Sequence, residues 1–268
     1  MAWVREEARI DHTLAPFGRA ALDCLALRPG QSVVDVGCGT GQTLLDLAAQ
    51  VGRNGRVLGI DVSEVMVERA RQRVAQSRRK NIEVALSDAE QHAFAPASWD
   101  AVFSRFGIMF FDDTRAACEN LVSALREGGR LAFVCWQSLE KNPWALLPLT
   151  AVREALRIDS LPDFLTPCRP GPFRFEDPEP LSEALVLAGC RTVEVRALEL
   201  RVQVGGAETL DQAVAYSMQV GPGARLLADS EPPQREAAAV AVRRALAPLC
   251  SERGVWGDAA AWLISASR

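Results

Sequence analysis

Apolar residues recur along this chain in two alternating rhythms. Ser32–Val36 is a short β-branched run that breaks at Gly37-Cys38-Gly39-Thr40-Gly41, and Gln42–Val51 then resumes with apolar positions at helical spacing. The alternation repeats: residues 56–60 read as a strand, 64–76 as a helix, Ile82–Leu86 and 101–104 as strands, 114–126 as a helix and 130–136 as a strand. Strands and helices alternating at this spacing predict right-handed crossovers, and therefore a doubly wound α/β fold with a mainly parallel, Rossmann-like sheet.

Past Trp136 the rhythm changes. Residues 141–180 are proline-rich with scattered apolar positions, which predicts a long excursion over the surface near a binding site. Residues 181–187 read as a helix stopped by Gly189, and 192–204 and 260–266 as strands that bring the sheet to seven. Between those strands an alanine- and leucine-rich helical region, 208–250, is broken at Gly221-Pro222-Gly223 and Pro232-Pro233. No second hydrophobic core is discernible. The expected organisation is one domain over 1–268, with a helical cap (1–31), a ligand-binding core (32–140) and substrate-side excursions (141–180 and 206–255).

Composition narrows the partners. The 268 residues carry a net charge of −4, so a nucleic-acid partner would need a basic patch that the overall balance does not supply. The basic cluster at 69–80 reads as a solvated helix face. Seven cysteines without a CxxC pair, and only two histidines, leave too few well-spaced ligands for structural zinc and fit reduced thiols. The N-terminal residues are charged where a signal peptide is apolar, and no apolar run approaches the roughly 20 residues of a membrane span. A cytoplasmic protein is expected, either monomer or homodimer.

The chemistry starts at the glycine turn. Gly37, Gly39 and Gly41 stand at alternate positions where strand passes into helix, so a ligand can approach the backbone closely. Twenty residues on, Asp61 ends the next strand, where a carboxylate can accept from both hydroxyls of a ribose. Together these point to an adenosine-containing ligand. A dinucleotide fingerprint would be GxGxxG; here the third glycine comes one place early and Gln42 occupies its position, which disfavours an NAD(P)-dependent oxidoreductase.

With these motifs the sequence resembles the class I S-adenosylmethionine-dependent methyltransferases, in the bacterial group related to ubiquinone and menaquinone methylases. Further stretches carry the resemblance: Gly59-Ile60-Asp61-Val62-Ser63-Glu64, Ser87-Asp88-Ala89-Glu90, Trp99-Asp100-Ala101-Val102-Phe103-Ser104-Arg105-Phe106-Gly107 and Leu125-Arg126-Glu127-Gly128-Gly129-Arg130-Leu131. The resemblance implies S-adenosylmethionine as cofactor, S-adenosylhomocysteine as product, and these roles. Gly37, Gly39 and Gly41 frame the methionine tail, Asp35 holds its ammonium, and Gln42 sits beside it. Asp61 binds the ribose, Val62 covers the adenine, Asp88 accepts from the adenine amine, the Ala89 amide reaches a ring nitrogen, and Ser104 lies by the reactive sulfonium.

Methyl transfer is mostly a matter of alignment, so no catalytic side chain need stand out. His12, in the segment before the first strand, is either a base facing the acceptor or a histidine bonded to its surroundings. Arg105, directly after the fourth strand, either meets an anionic acceptor or the methionine carboxylate, or pairs with Asp112 or Asp113. No Asn/Asp-Pro-Pro-aromatic signature follows the fourth strand, which argues against a DNA amine methylase. A partly apolar small-molecule acceptor is the expectation. The alternative is a protein of this fold that binds the cofactor but catalyses another reaction or none.

Overall fold

The computed structural model describes residues 2–167 and 169–268. In chain order the elements are α1 (Ala2–Arg5), α2 (Glu7–Leu25), β1 (Ser32–Val36), α3 (Gln42–Val51), β2 (Arg56–Asp61), α4 (Glu64–Ser77), β3 (Ile82–Leu86), β4 (Trp99–Arg105), α5 (Thr114–Ala124), β5 (Leu125–Trp136), α6 (Pro143–Leu156), α7 (Glu179–Leu187), β6 (Thr192–Gln203), α8 (Leu210–Ser217), α9 (Pro222–Leu226), α10 (Pro232–Leu246), β7 (Cys250–Ser251) and β8 (Gly254–Ser267). They divide into two compact units.

The larger unit comprises Pro16–Trp136, Pro167–Leu198 and Ala261–Arg268. The sheet runs in the order β3-β2-β1-β4-β5-β8-β6, with the two-residue β7 paired to β8. Strands β1 to β5 pair in parallel, and β8 runs antiparallel to β5 with Phe133 opposite Ile264. Its inner strands are apolar without alternation, as a sheet covered on both faces requires: Val33, Val34, Val57, Val102, Phe103, Phe133 and Val134 are fully buried. The chain leaves β1 toward β2 on one side while β4 lies on the other. Their carboxyl ends therefore frame the point where the sheet order reverses, the place where open α/β sheets hold ligands.

The largest boundary differences from the sequence reading are two. The fifth helix ends at Ala124, and Leu125 is already extended (φ −68°, ψ 138°), pairing with Trp99 before a register shift to Ala101↔Arg130. The apolar spacing of Leu121, Val122 and Leu125 continues the helical period across that junction, which is why pattern alone carried the helix to 126. The last strand starts at Gly254, ahead of the expected 260, because Val255 pairs with Cys250 across a tight turn.

The smaller unit comprises the chain up to Ala15, Gln137–Thr166 and Glu199–Ala260. It has a buried apolar cluster of its own, including Ile10, Val152, Val204, Tyr216, Leu227, Val242 and Leu246. This corrects the expectation of no second core. The proline-rich stretch is likewise more than a surface excursion: Pro143 opens α6 at its first turn, where a missing N–H costs nothing, and Ala145, Leu149, Ala151 and Val152 are buried. Among the described residues no helix is long and apolar enough to cross a membrane.

Candidate functional site

The site forms in the larger unit, at the carboxyl ends of β1, β2 and β4. Gly37 leaves β1 with φ 70°, and a methyl group there would come 2.6 Å from the Cα of Gly107, just past β4. Bare backbone is thus required on both sides of this crossing. Ser104 fastens the same junction: its fully buried hydroxyl donates to the Val36 carbonyl at 2.7 Å and accepts from the Gly107 amide at 3.2 Å. At Gly39 (φ 54°) the space that a side chain would fill is open for 4 Å, whereas a methyl on Gly41 would come 3.0 Å from the Ala70 Cβ of α4, closer than ordinary packing allows. One glycine therefore leaves room and another lets two helices meet.

Asp61 ties this loop to the end of β2. Its Oδ2 accepts from the Gly39 amide and its Oδ1 from the Ser63 amide, both at 2.9 Å. A carboxylate has about four acceptor positions, so two neutral donors leave capacity for a pair of hydroxyls. Val62, next along, is 71% exposed, an unusual place for a valine unless something covers it.

Asp35 sits in an electrostatically unfavourable place. It is buried, its Oδ2 accepts from the Thr43 hydroxyl of α3, and its Oδ1 has no hydrogen-bond partner. Burial pushes its carboxyl up to about 7, against the Thr43 bond and the positive charge of Arg105, while Asp61 and Asp46 add to the rise. Arg105 is held by the bare surface of Gly18 on α2, where a Cβ would come 2.9 Å from its Cδ. A carboxylate oxygen left unsatisfied behind a glycine loop, with a guanidinium close enough to be felt, suits a zwitterion of ammonium and carboxylate.

The remaining expected residues are placed as follows. Gln42 opens α3 and donates to Asp46 at 3.1 Å. Asp88 closes a turn after β3, its Oδ1 accepting from the Glu90 amide at 2.9 Å. Ala89 is buried, with its carbonyl accepting from Asn120 of α5 at 2.9 Å. Asn120 also donates to the His92 carbonyl at 3.0 Å, so one α5 side chain sets the whole loop. Asp113, one of the partners considered for Arg105, caps α5 through the Ala116 amide. His12 lies in the smaller unit, where its Nε2 meets Gln203 Oε1 at 3.1 Å.

Sequence reasoning missed several contributors. Thr43 donates to Asp35, Gly107 completes the backbone crossing, and Phe17 packs edge-on against Phe106 and Trp136 past β4 and β5. Phe106 stacks on Trp136 with centroids 4.0 Å apart and has φ 62°, a left-handed conformation rare for a bulky residue.

Residues 33–129 match the methyltransferase domain family. Over 207 residues, 73% of this chain and 71% of the relative, the sequence is 33% identical to nocamycin O-methyltransferase of Saccharothrix syringae. The chain belongs to the S-adenosylmethionine-dependent methyltransferases. Membership sets aside the oxidoreductase alternative and makes S-adenosylmethionine the cofactor. Other methyltransferase relatives share shorter stretches. Aklanonic acid methyltransferase of Streptomyces sp. is 36% identical over 118 residues, 44% of this chain and 54% of that one. The ubiquinone/menaquinone C-methyltransferase of Klebsiella pneumoniae is 29% identical over 145 residues, 54% and 56% respectively. This methyltransferase thus spans about half the length of these two relatives. Its fold is that of the YcgJ protein of Bacillus subtilis (TM-score 0.59, 17% identity, covering 96% of this chain and 98% of that one). A phosphoethanolamine N-methyltransferase of Haemonchus contortus, solved with S-adenosyl-L-methionine, shares the fold too (TM-score 0.60, 17% identity, 94% and 52%).

Proposed function

We propose that this protein transfers the methyl group of S-adenosylmethionine to a small, partly apolar acceptor by in-line displacement. The observation that carries the reading is the buried Asp35, whose free oxygen stands behind the glycine loop beside the charge of Arg105. Asp35 takes the methionine ammonium and Arg105 its carboxylate. Asp61 takes the ribose hydroxyls, Val62 covers the adenine, and Asp88 and the Ala89 amide read its edge. Bound S-adenosylmethionine supplies a methyl carried on a positively charged sulfur. The protein's own contribution is to hold the donor fixed, and positioning of this kind is worth about 7–11 kcal/mol of barrier.

An apolar acceptor is supported by the relatives named for nocamycin and aklanonic acid, and by the uncharged aromatic cluster beyond β4 and β5. An acceptor with an ionisable hydroxyl needs a base. His12 fills that role: Gln203 donates its Nε2 hydrogens to the Ala207 carbonyl at 3.0 Å, so its oxygen faces His12 and selects the tautomer with hydrogen on Nε2. Nδ1 is then the basic nitrogen. The six described cysteines are unbridged, which supports a reducing, cytoplasmic setting.

The test is to incubate the protein with methyl-labelled S-adenosylmethionine and a panel of apolar hydroxy and carboxylic acids. Label in an extracted acceptor, with stoichiometric S-adenosylhomocysteine, is expected. Cofactor binding without transfer to any of them would overturn the assigned acceptor class.

A further inference from the structure

Strand β6 ends the sheet, and among the described residues no other strand pairs with its outer edge. Natural edge strands are usually short, or guarded by charged side chains (lysine above all), proline or a bulge, since an open edge invites another strand, so the charges on a long edge must be matched for it to pair. Here β6 runs for twelve residues without lysine, proline or glycine, and Glu194, Val195, Arg196 and Ala197 are exposed in succession, so both faces of this part are bare. Val195 is 40% exposed.

We propose that this edge is the docking surface for a second copy of the chain, the two β6 strands pairing antiparallel about a two-fold axis through Val195. A two-fold normal to a sheet preserves its faces, so residues equally far on either side of the axis lie opposite one another. Centred on Val195, Glu194 faces the partner's Arg196, and Arg196 faces the partner's Glu194. On the other face Val195 meets the partner's Val195, and Val193 meets the partner's Ala197. One face of the joint is therefore two ion pairs and the other an apolar stripe, a complementarity that the sequence Val193-Glu194-Val195-Arg196-Ala197 carries in itself.

The similar run Glu199-Leu200-Arg201 does not compete. Glu199 already pairs with Lys141 at 3.4 Å and Arg201 with Asp258 at 3.6 Å, and Leu200 is partly buried. Among the described residues, Glu194 and Arg196 have no such partner within the chain. The inference concerns assembly and does not depend on the reaction catalysed.

Sedimentation of the full chain across the micromolar range tests it. The wild type is expected to dimerise. Arg196→Glu and Glu194→Arg each place like charges opposite one another and weaken the dimer at least tenfold. An equimolar mixture of those two variants pairs again, because each supplies what the other lacks, and so does the double variant Glu194→Arg/Arg196→Glu. The substituted positions are exposed, and unchanged near-UV circular dichroism verifies the fold. A wild type that stays monomeric overturns the proposal, as does a dimer that Arg196→Glu leaves intact.

Discussion

In the proposed function a single carboxyl group, Asp35, links cofactor binding to pH. Burial raises Asp35 from 3.8 to about 7 in the folded protein. A carboxyl raised in this way stabilises the fold fully below its unfolded pKa, and that stability drains away as pH rises through the folded value. The free protein therefore loses stability between about pH 4 and 7 on account of this residue, while the ammonium of the cofactor needs the ionised form. Affinity for S-adenosylhomocysteine should accordingly rise with pH and level off above about 7, dropping roughly tenfold per unit below it. Asp35→Asn should raise the melting temperature of the free protein at pH 8, weaken the cofactor and flatten its pH profile. Titrations at several pH values check this, and a profile as steep in Asp35→Asn as in the wild type would refute it. At His12 the expectation is different in kind. His12→Ala should lower kcat by roughly 10²–10⁴-fold on a hydroxyl acceptor without changing cofactor affinity; equal rates would remove His12 from the chemistry.

Elements rather than single side chains create the ligand space. Gly37 and Gly107 let the carboxyl ends of β1 and β4 cross at backbone contact, and Ser104 fastens the crossing. A methyl on Gly107 would sit 2.5 Å from the Val36 carbonyl oxygen and 2.9 Å from Gly37 Cα, both rigid atoms. Gly107→Ala should thus cost about 1–3 kcal/mol of stability and weaken S-adenosylhomocysteine, although its φ of −90° suits alanine. A variant that melts and binds like the wild type would show that the junction tolerates expansion. At this scale the sequence was readable wherever a break residue stood at the boundary: β1 stops at Gly37, α3 starts after Gly41, and both matched their expected limits. It misled at Ala124–Leu125, where no glycine or proline marks the change and the apolar spacing runs straight through. Thr43 was hidden for another reason, since its partner Asp35 is eight residues away and only the turn brings them together.

Across the whole molecule, the doubly wound, mainly parallel sheet followed from strand–helix alternation because parallel crossovers leave few arrangements, while the order β3-β2-β1-β4-β5-β8-β6 comes from the structure. The second apolar cluster did not, because its residues come from separate stretches of chain, Ile10, Val152, Val204, Tyr216, Leu227 and Val242 among them, none of which looks like a core alone. The candidate cofactor residues were legible for the converse reason: the glycine turn and Asp61 are local features at a fixed offset. The account stands on their joint purpose, and calorimetric titration with S-adenosylhomocysteine, run beside NADH, tests it most directly. The wild type should bind S-adenosylhomocysteine and not NADH, and Asp61→Ala should stay folded yet bind at least tenfold more weakly, having lost charge-assisted bonds worth about 1.5–3 kcal/mol. Binding of NADH alone, or unchanged affinity in a folded Asp61→Ala protein, would contradict it.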